Sequence, residues 1–334
     1  MEKNASARKL GGLIHAGLAL VACGLLAWVL SKNADAIHKV YDRPLDWNLF
    51  AIAGLIYMIG VVSTFVRWYF LVKVVDPRFT LRAAILLGFI GNLFNLLIPG
   101  AVGGDLIKAA YLSRMHVKRT QAIASMVIDR ILGLLGLFLL ASVAGAFIWS
   151  AASPEIHKLI VAAWVINLAT LLLLVAIFSQ VFTRIFPGLG RGHGKVSLIV
   201  DELKEMSSTY RRRLDVVGLG WLMAAGNHTL NVLAFFLVGK MLFPSMPTTL
   251  TQHFLLAPLT LFTIAVPLPF GALGLSESVA DVLGKMVNHP SGMLAMLGVR
   301  VLMYGGALVG LVVYLTRIRE VRALAEAARH SEPE

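Results

Sequence analysis

Nine ionisable side chains stand inside apolar stretches of this sequence: Arg67, Asp105, Lys108, Asp129, Arg130, Glu277, Asp281, Lys285 and Arg300. Such a group at a bilayer centre costs roughly 2.5–3.5 kcal/mol on insertion scales, so each needs a partner or a task. Arg130 in "IDRILGLLG" and Arg300 in "GVRVLMYGG" are the most deeply placed. A guanidinium fork there suits bidentate binding of a phosphate. Equally, it suits a fixed pair, Arg130 with Asp105 and Arg300 with Glu277. Asp105 and Lys108 are three residues apart and share a helix face, while Asp281 and Lys285 are four apart; either couple could be an internal ion pair. Arg67 lies near the end of its apolar run, where snorkelling to headgroups competes with a role in a site.

Glycines gather beside two of the acids. Gly100, Gly103 and Gly104 precede Asp105, and Gly271 and Gly274 precede Glu277. They permit positive φ and close helix approach. A helix starting just after such a break aims free N–H groups and its positive end at the cavity, an anion site independent of side chains. Asp105 and Glu277 could instead cap those N–H groups. Asn92, Asn95, Asn227 and His228 are polar groups in apolar helices, fit for interhelical hydrogen bonds; His228 and Asp129 are also candidates for a proton relay. No zinc-binding His–Glu-x-x-His, nucleophile elbow or dinucleotide turn occurs. "GLGRGHGK" has Leu189 and Val196 where a phosphate loop needs Gly and Ser or Thr. Neither a metal site nor a cofactor is expected, and the single cysteine, Cys23, excludes an internal disulfide.

The elements that position these residues follow from composition. The chain has 334 residues, 58% of them hydrophobic and 14% charged, with mean hydropathy +0.79. Soluble chains carry about a quarter charged residues. The net charge of +12 fits basic cytoplasmic loops and anionic lipid headgroups rather than nucleic acid. Apolar segments at 10–31, 47–72, 120–149, 157–181, 215–240 and 293–316 are long enough to span a bilayer. The first is too long for a signal-peptide core and reads as an uncleaved helix.

Two further apolar regions are broken, at "PGAVGGD" and at "PLPFGALG". Their arms are too short to cross, so 83–112 and 251–287 read as re-entrant helical hairpins. With both hairpins returning to their side of entry and the N-terminus inside, inner segments hold 20 basic residues and outer ones five. Trp28, Trp47 and Trp149 then fall at outer boundaries. The segment 182–214 becomes a cytoplasmic linker with an amphipathic helix over 196–206, and 317–334 a cytoplasmic tail.

The broken regions also superimpose. G-A-V-G-G-D and G-A-L-G-L-S-E each lie 20 residues after a threonine, and the glycines and arginines repeat at offsets of 171 and 170. Residues 10–150 form one repeat; 157–181 with 215–316 form the second, of opposite orientation under the charge-based topology. The expected fold is an all-α polytopic membrane protein, one transmembrane domain over 1–334 with six spanning helices and two re-entrant hairpins in two inverted repeats. Secondary transporters place substrate at the midplane of such repeats.

The pattern of Arg67-Trp68, "NLLIPGAVGGDLIKAAYL" and Asp129-Arg130 resembles the transmembrane region of bacterial lysylphosphatidylglycerol synthases, whose family includes stand-alone flippase-like proteins. The resemblance spans about residues 10–318. It implies lipid translocation at the bacterial inner membrane, with both termini cytoplasmic and an anionic phospholipid or polyprenyl-phosphate lipid as partner. The chain ends at Glu334 without an aminoacyl-transferase domain, so synthesis of lysyl-lipid does not carry over directly. The alternative is the membrane component of a headgroup-modifying transferase, with a lipid-modifying enzyme as partner. Arg67, Gly100, Gly103, Gly104, Asp105, Lys108, Arg130, Gly271, Gly274, Glu277 and Arg300 are the candidate substrate-binding residues.

Overall fold

The computed structural model describes residue 17 and residues 20–317, leaving out 43, 99–102, 180–203, 205–206 and 267. Gly100, all but Lys204 of the amphipathic stretch at 196–206, the tail after 317 and most of the first helix's inner end therefore lie outside the described residues. Every regular element described is a helix. The spans are α1 (Leu20–Lys32), α3 (Trp47–Val75), α6 (Arg119–Ile148), α7 (Pro154–Ser179), α8 (Leu214–Leu242) and α11 (Gly292–Thr316). Five of these are long and apolar enough to cross a membrane alone. The sixth, α1, passes only together with α2 (Ala34–Tyr41), from which it is bent by 72°. The sequence reading had no helix at α2.

Polar caps set the ends. Asp46 accepts from the N–H groups of Asn48 and Leu49 at 3.0 and 3.2 Å to start α3. Thr80 accepts from Ala83 at 3.2 Å to start α4 (Leu81–Leu97). Thr249 and Gln252 form a reciprocal box at the start of α9 (Leu250–Phe262), and Ser291 accepts from Leu294 to start α11. Between α3 and α4 the chain turns at Asp76-Pro77-Arg78. The Arg78 guanidinium, bonded to Asp76 at 2.9 and 3.0 Å, holds that carboxyl below the usual range. On α7, Leu168, Leu172 and Val175 are each more than half exposed, as a face turned to lipid requires.

The two broken regions are the shortest apolar helices. Helix α5 (Gly103–Arg114) folds back on α4: Gly104 packs on Gly91, and a methyl on Gly104 would lie 2.7 Å from the Gly91 carbonyl oxygen. On the other side, α9 runs through a 3₁₀ turn, Thr263–Ala265, and a single turn, Pro269–Ala272, into α10 (Leu275–Met286). Here α10 folds back on α9, with Thr263 Oγ1 donating to Ser276 Oγ at 2.9 Å. Leu96, near the end of α4, reaches the second break, where a methyl on Gly271 would lie 3.7 Å from it.

Packing pairs each half with the other. Helix α3 lies along α8. Helix α11, which closes the second half, packs on α4, where Gly310 abuts the Phe89 carbonyl. Correspondingly α6, which closes the first half, packs on α9, with Phe138 edge-on to Phe262 at 5.1 Å. The main core is built from both halves, including Phe138, Ile160, Phe235, Leu256 and Met296.

Gly104 permits the fold-back only because it lacks a side chain. Gly104→Ala should lower the melting temperature of the purified protein by several degrees, the equivalent of about 1–3 kcal/mol of overpacking. Gly226→Ala, where a methyl meets nothing within 4 Å, should melt at or slightly above wild type.

Candidate functional site

Two arginine–acid pairs stand at the two breaks, and their surroundings differ. In the first half, Arg130 of α6 donates from Nε to Asp105 Oδ2 of α5 at 2.8 Å. The two side chains are 47% and 20% exposed, so this pair lies open. Asn95 accepts the Gly104 N–H at 2.7 Å, so that N–H is satisfied without the carboxylate. Lys108 does not pair with Asp105. Its Nζ sits 4.6 Å from the ring centre of Trp68, a buried indole on α3, in a cation–π contact.

Next to this pair is a second one. Arg67 Nε donates to Asp129 Oδ1 at 2.7 Å, with side chains 6% and 13% exposed. Arg67 is thus buried rather than snorkelling to the headgroups. Its guanidinium lies along α6 beside Gly133, and Nη1 is buried without a hydrogen-bond partner. From the other flank, His228 of α8 donates from Nε2 to the Gly133 carbonyl at 3.1 Å, leaving Nδ1 buried and unpartnered. Asp129 and His228, the candidate proton-relay residues, therefore flank Arg67 from α6 and α8. Together Arg67, Lys108 and Arg130 face Asp105 and Asp129, three cations against two carboxylates.

The second half is closed. Arg300 Nε donates to Glu277 Oε1 at 2.5 Å, and the side chains are 2% and 0% exposed. Arg300 Nη1 also donates to the carbonyls of Phe270 and Gly271, at 2.6 and 3.1 Å. Glu277 Oε2 accepts the Gly274 N–H at 2.7 Å, which caps α10. This network holds a strained backbone: Phe270, Gly271, Ala272 and Gly274 have φ of 57°, 66°, 55° and 83°. Positive φ at Phe270 and Ala272 costs of order 1–3 kcal/mol each and persists only where surroundings enforce it. Asp281 and Lys285 pair along α10 at 2.7 Å, with Lys285 largely exposed.

Three features go beyond the sequence reading, which marked Asn95 only as a group fit for interhelical hydrogen bonds. Trp68 as a seat for Lys108 depends on how α3 meets α5. Asn95 as a cap depends on the fold-back. The third is a histidine pair. His253 on α9 and His289, between α10 and α11, are 0% and 4% exposed, with ring centres 5.4 Å apart. His253 Nδ1 donates to the Thr249 carbonyl at 2.8 Å, and His289 Nδ1 accepts from the Ser291 N–H at 3.2 Å. Each Nε2 is buried without a partner, one a bare acceptor and the other carrying its hydrogen. No group of three or more metal-ligating side chains is found among the described residues.

The family described as "Lysylphosphatidylglycerol synthase TM region" matches residues 14–313, nearly the whole chain, and the protein belongs to that family. No curated protein matches it.

Burial, with the nearby His253 ring adding to it, pushes His289 down to about 4. A histidine held neutral in the fold, against about 6.5 when unfolded, gives stability that is full above pH 6.5 and lost as pH falls toward 4. Melting temperature should therefore drop as pH is lowered from 7 to 5. His289→Gln, which keeps an acceptor for the Ser291 N–H, should flatten that drop; an unchanged slope would contradict the assignment.

Proposed function

We propose that this member of the lysylphosphatidylglycerol synthase transmembrane-region family is a flippase-like transporter that carries an anionic lipid headgroup across a bacterial inner membrane. The two broken regions act as re-entrant hairpins of two inverted repeats, and the acyl or isoprenoid chains stay in the bilayer. The observation that carries this reading is the open Arg130–Asp105 pair, beside Lys108, at a backbone break inside an apolar bundle. An arginine paired yet half exposed can exchange its carboxylate for a phosphate, and a charge held at membrane depth defaults to a pathway. The fold-back of α5 on α4 and of α10 on α9 supports the hairpins. The exchange of partners between halves, α4 with α11 and α9 with α6, supports the repeat. The excess of basic residues on one set of loops supports opposite orientation, with both termini cytoplasmic.

The family's description favours a second reading, the membrane component of a lipid-headgroup transferase working with a separate enzyme. Lipid profiles of a deletion strain separate the two. A modified lipid that disappears supports the transferase; the same lipids confined to one leaflet support transport.

In liposomes, the wild-type chain should expose fluorescent phosphatidylglycerol of the inner leaflet to an external quencher. Arg130→Gln should slow this by about tenfold or more, the loss of a charge-assisted hydrogen bond in the transition between leaflets. Unchanged rates would sink the phosphate role. The orientation has its own test, in a chain with Cys23→Ser. Cysteines at Arg78 and His116 should label from the cytoplasmic side only, and those at Thr249 and Asn288 from the outside only; labelling of Arg78 and His116 from opposite sides would show that α4 and α5 cross.

A further inference from the structure

We infer that lipid movement in this protein is coupled to a proton that binds at Asp129, and that Arg67 passes from Asp129 on α6 to His228 on α8 as the proton arrives. This goes one step beyond the transport reading and rests on it.

The first observation is an incomplete pair. One hydrogen bond joins Arg67 to Asp129, from Nε to Oδ1 at 2.7 Å. The side chains are 6% and 13% exposed. A buried ion pair holds structure together only when its remaining donors are satisfied as well. Here Nη1 of the guanidinium is buried with no partner. A buried donor left unpaired is costly, and the cost calls for a second acceptor.

The second observation is that such an acceptor stands nearby. A carbonyl oxygen can only accept, so the 3.1 Å bond between His228 Nε2 and the Gly133 carbonyl puts the ring hydrogen on Nε2. Nδ1 is then a bare lone pair, and it too is buried without a partner.

The third is placement. Asp129 and Gly133 are four residues apart on α6, so the carboxylate and the anchor of His228 lie on one helix face, a turn apart. The guanidinium lies along that face: a methyl on Gly133 would meet Nη2 and Nη1 at 3.7 and 3.9 Å. The head of Arg67 is thus beside both acceptors, and its own side-chain torsions make the exchange.

The charge on Asp129 decides between them. A carboxylate holds the guanidinium by charge and hydrogen bond together. A proton from water, taken on a carboxylate oxygen, leaves a neutral acid, while Arg67 keeps its charge. The imidazole lone pair is then the better acceptor. Return of the same proton to water restores the carboxylate and draws Arg67 back. The other ionisable groups around Asp129 are Arg130, next to it on α6, Lys108 and Asp105 on α5, and Tyr210, whose hydroxyl donates to the Leu71 carbonyl at 3.0 Å. Three of these cations and two carboxylates, counting Arg67 and Asp129, already leave the cluster positive. A proton on Asp129 adds to that charge, and an anionic headgroup offsets it. Each therefore favours binding of the other, by reciprocal linkage.

The test is infrared difference spectroscopy, acid minus neutral, of the full chain in liposomes. Wild type should show the carbonyl band of a protonated carboxylic acid, and Asp129→Asn should lack it. His228→Leu, which removes the second acceptor, should shift the midpoint of that band down by about one pH unit or more, a tenfold loss of proton affinity. His228→Gln, which can donate to the Gly133 carbonyl and accept from Arg67, should restore the wild-type midpoint. Under an imposed pH gradient, wild type should skew fluorescent phosphatidylglycerol between the leaflets beyond protein-free liposomes, and Asp129→Asn should not. If Asp129→Asn does not fold, the His228 variants and the wild-type gradient still decide. A band that persists in Asp129→Asn, a midpoint unmoved in His228→Leu, or lipid that moves without responding to the gradient would overturn the proton coupling and leave transport standing. No lipid movement in wild type would overturn the transport reading and the coupling with it.

Discussion

A polypeptide that interrupts a helix inside a bilayer must find partners for the backbone groups it frees, because lipid supplies none. This constraint shapes the protein around its two breaks. At the second break the partners are side chains: Arg300 takes the carbonyls of Phe270 and Gly271, and Glu277 takes the N–H of Gly274. At the first, a neutral amide, Asn95, takes the N–H of Gly104. The choice of amide over acid frees Asp105 for Arg130, and a structural element becomes a candidate site. Glycine contacts, Gly91 on Gly104 and Gly310 on Phe89, bring the backbones close enough for these bonds to form.

The same arrangement links packing to function. Leu96 of α4 reaches Gly271 of the second break. Helix α11 packs on α4 and α6 on α9, so each broken region is held by a long helix distant in sequence. Arg67, buried between α3, α6 and α8 with an unpartnered Nη1, joins the open pair to the helices at the centre of the bundle.

Much of this was legible in the sequence. Long apolar runs locate the five long helices, because length and hydropathy alone decide what can cross a bilayer. The breaks show in Pro and Gly, and the pairing of Arg130 with Asp105 and of Arg300 with Glu277 was one of two readings, the other a phosphate ligand, that an arginine inside an apolar helix left open. Helix α2 was missed because its polar sequence, "ADAIHKVY", lacks a membrane signature. The seat of Lys108 on Trp68, the cap by Asn95 and the facing of His253 and His289 depend on which helices touch, and spacing along one chain does not encode that. The contrast between an open and a closed pair was equally invisible, since both read as an arginine, an acid and a few glycines.

Double-mutant cycles at the two pairs distinguish an open pair from a buried one. Melting is followed for each single charge removal and for the double, at Arg130 with Asp105 and at Arg300 with Glu277. The open pair should show coupling of about 1 kcal/mol or less, as exposed pairs do. In the buried pair, removing one partner alone should cost about 3–5 kcal/mol, most of it recovered when both are removed. Equal coupling at the two breaks would contradict the claim that one is a lock and the other a site.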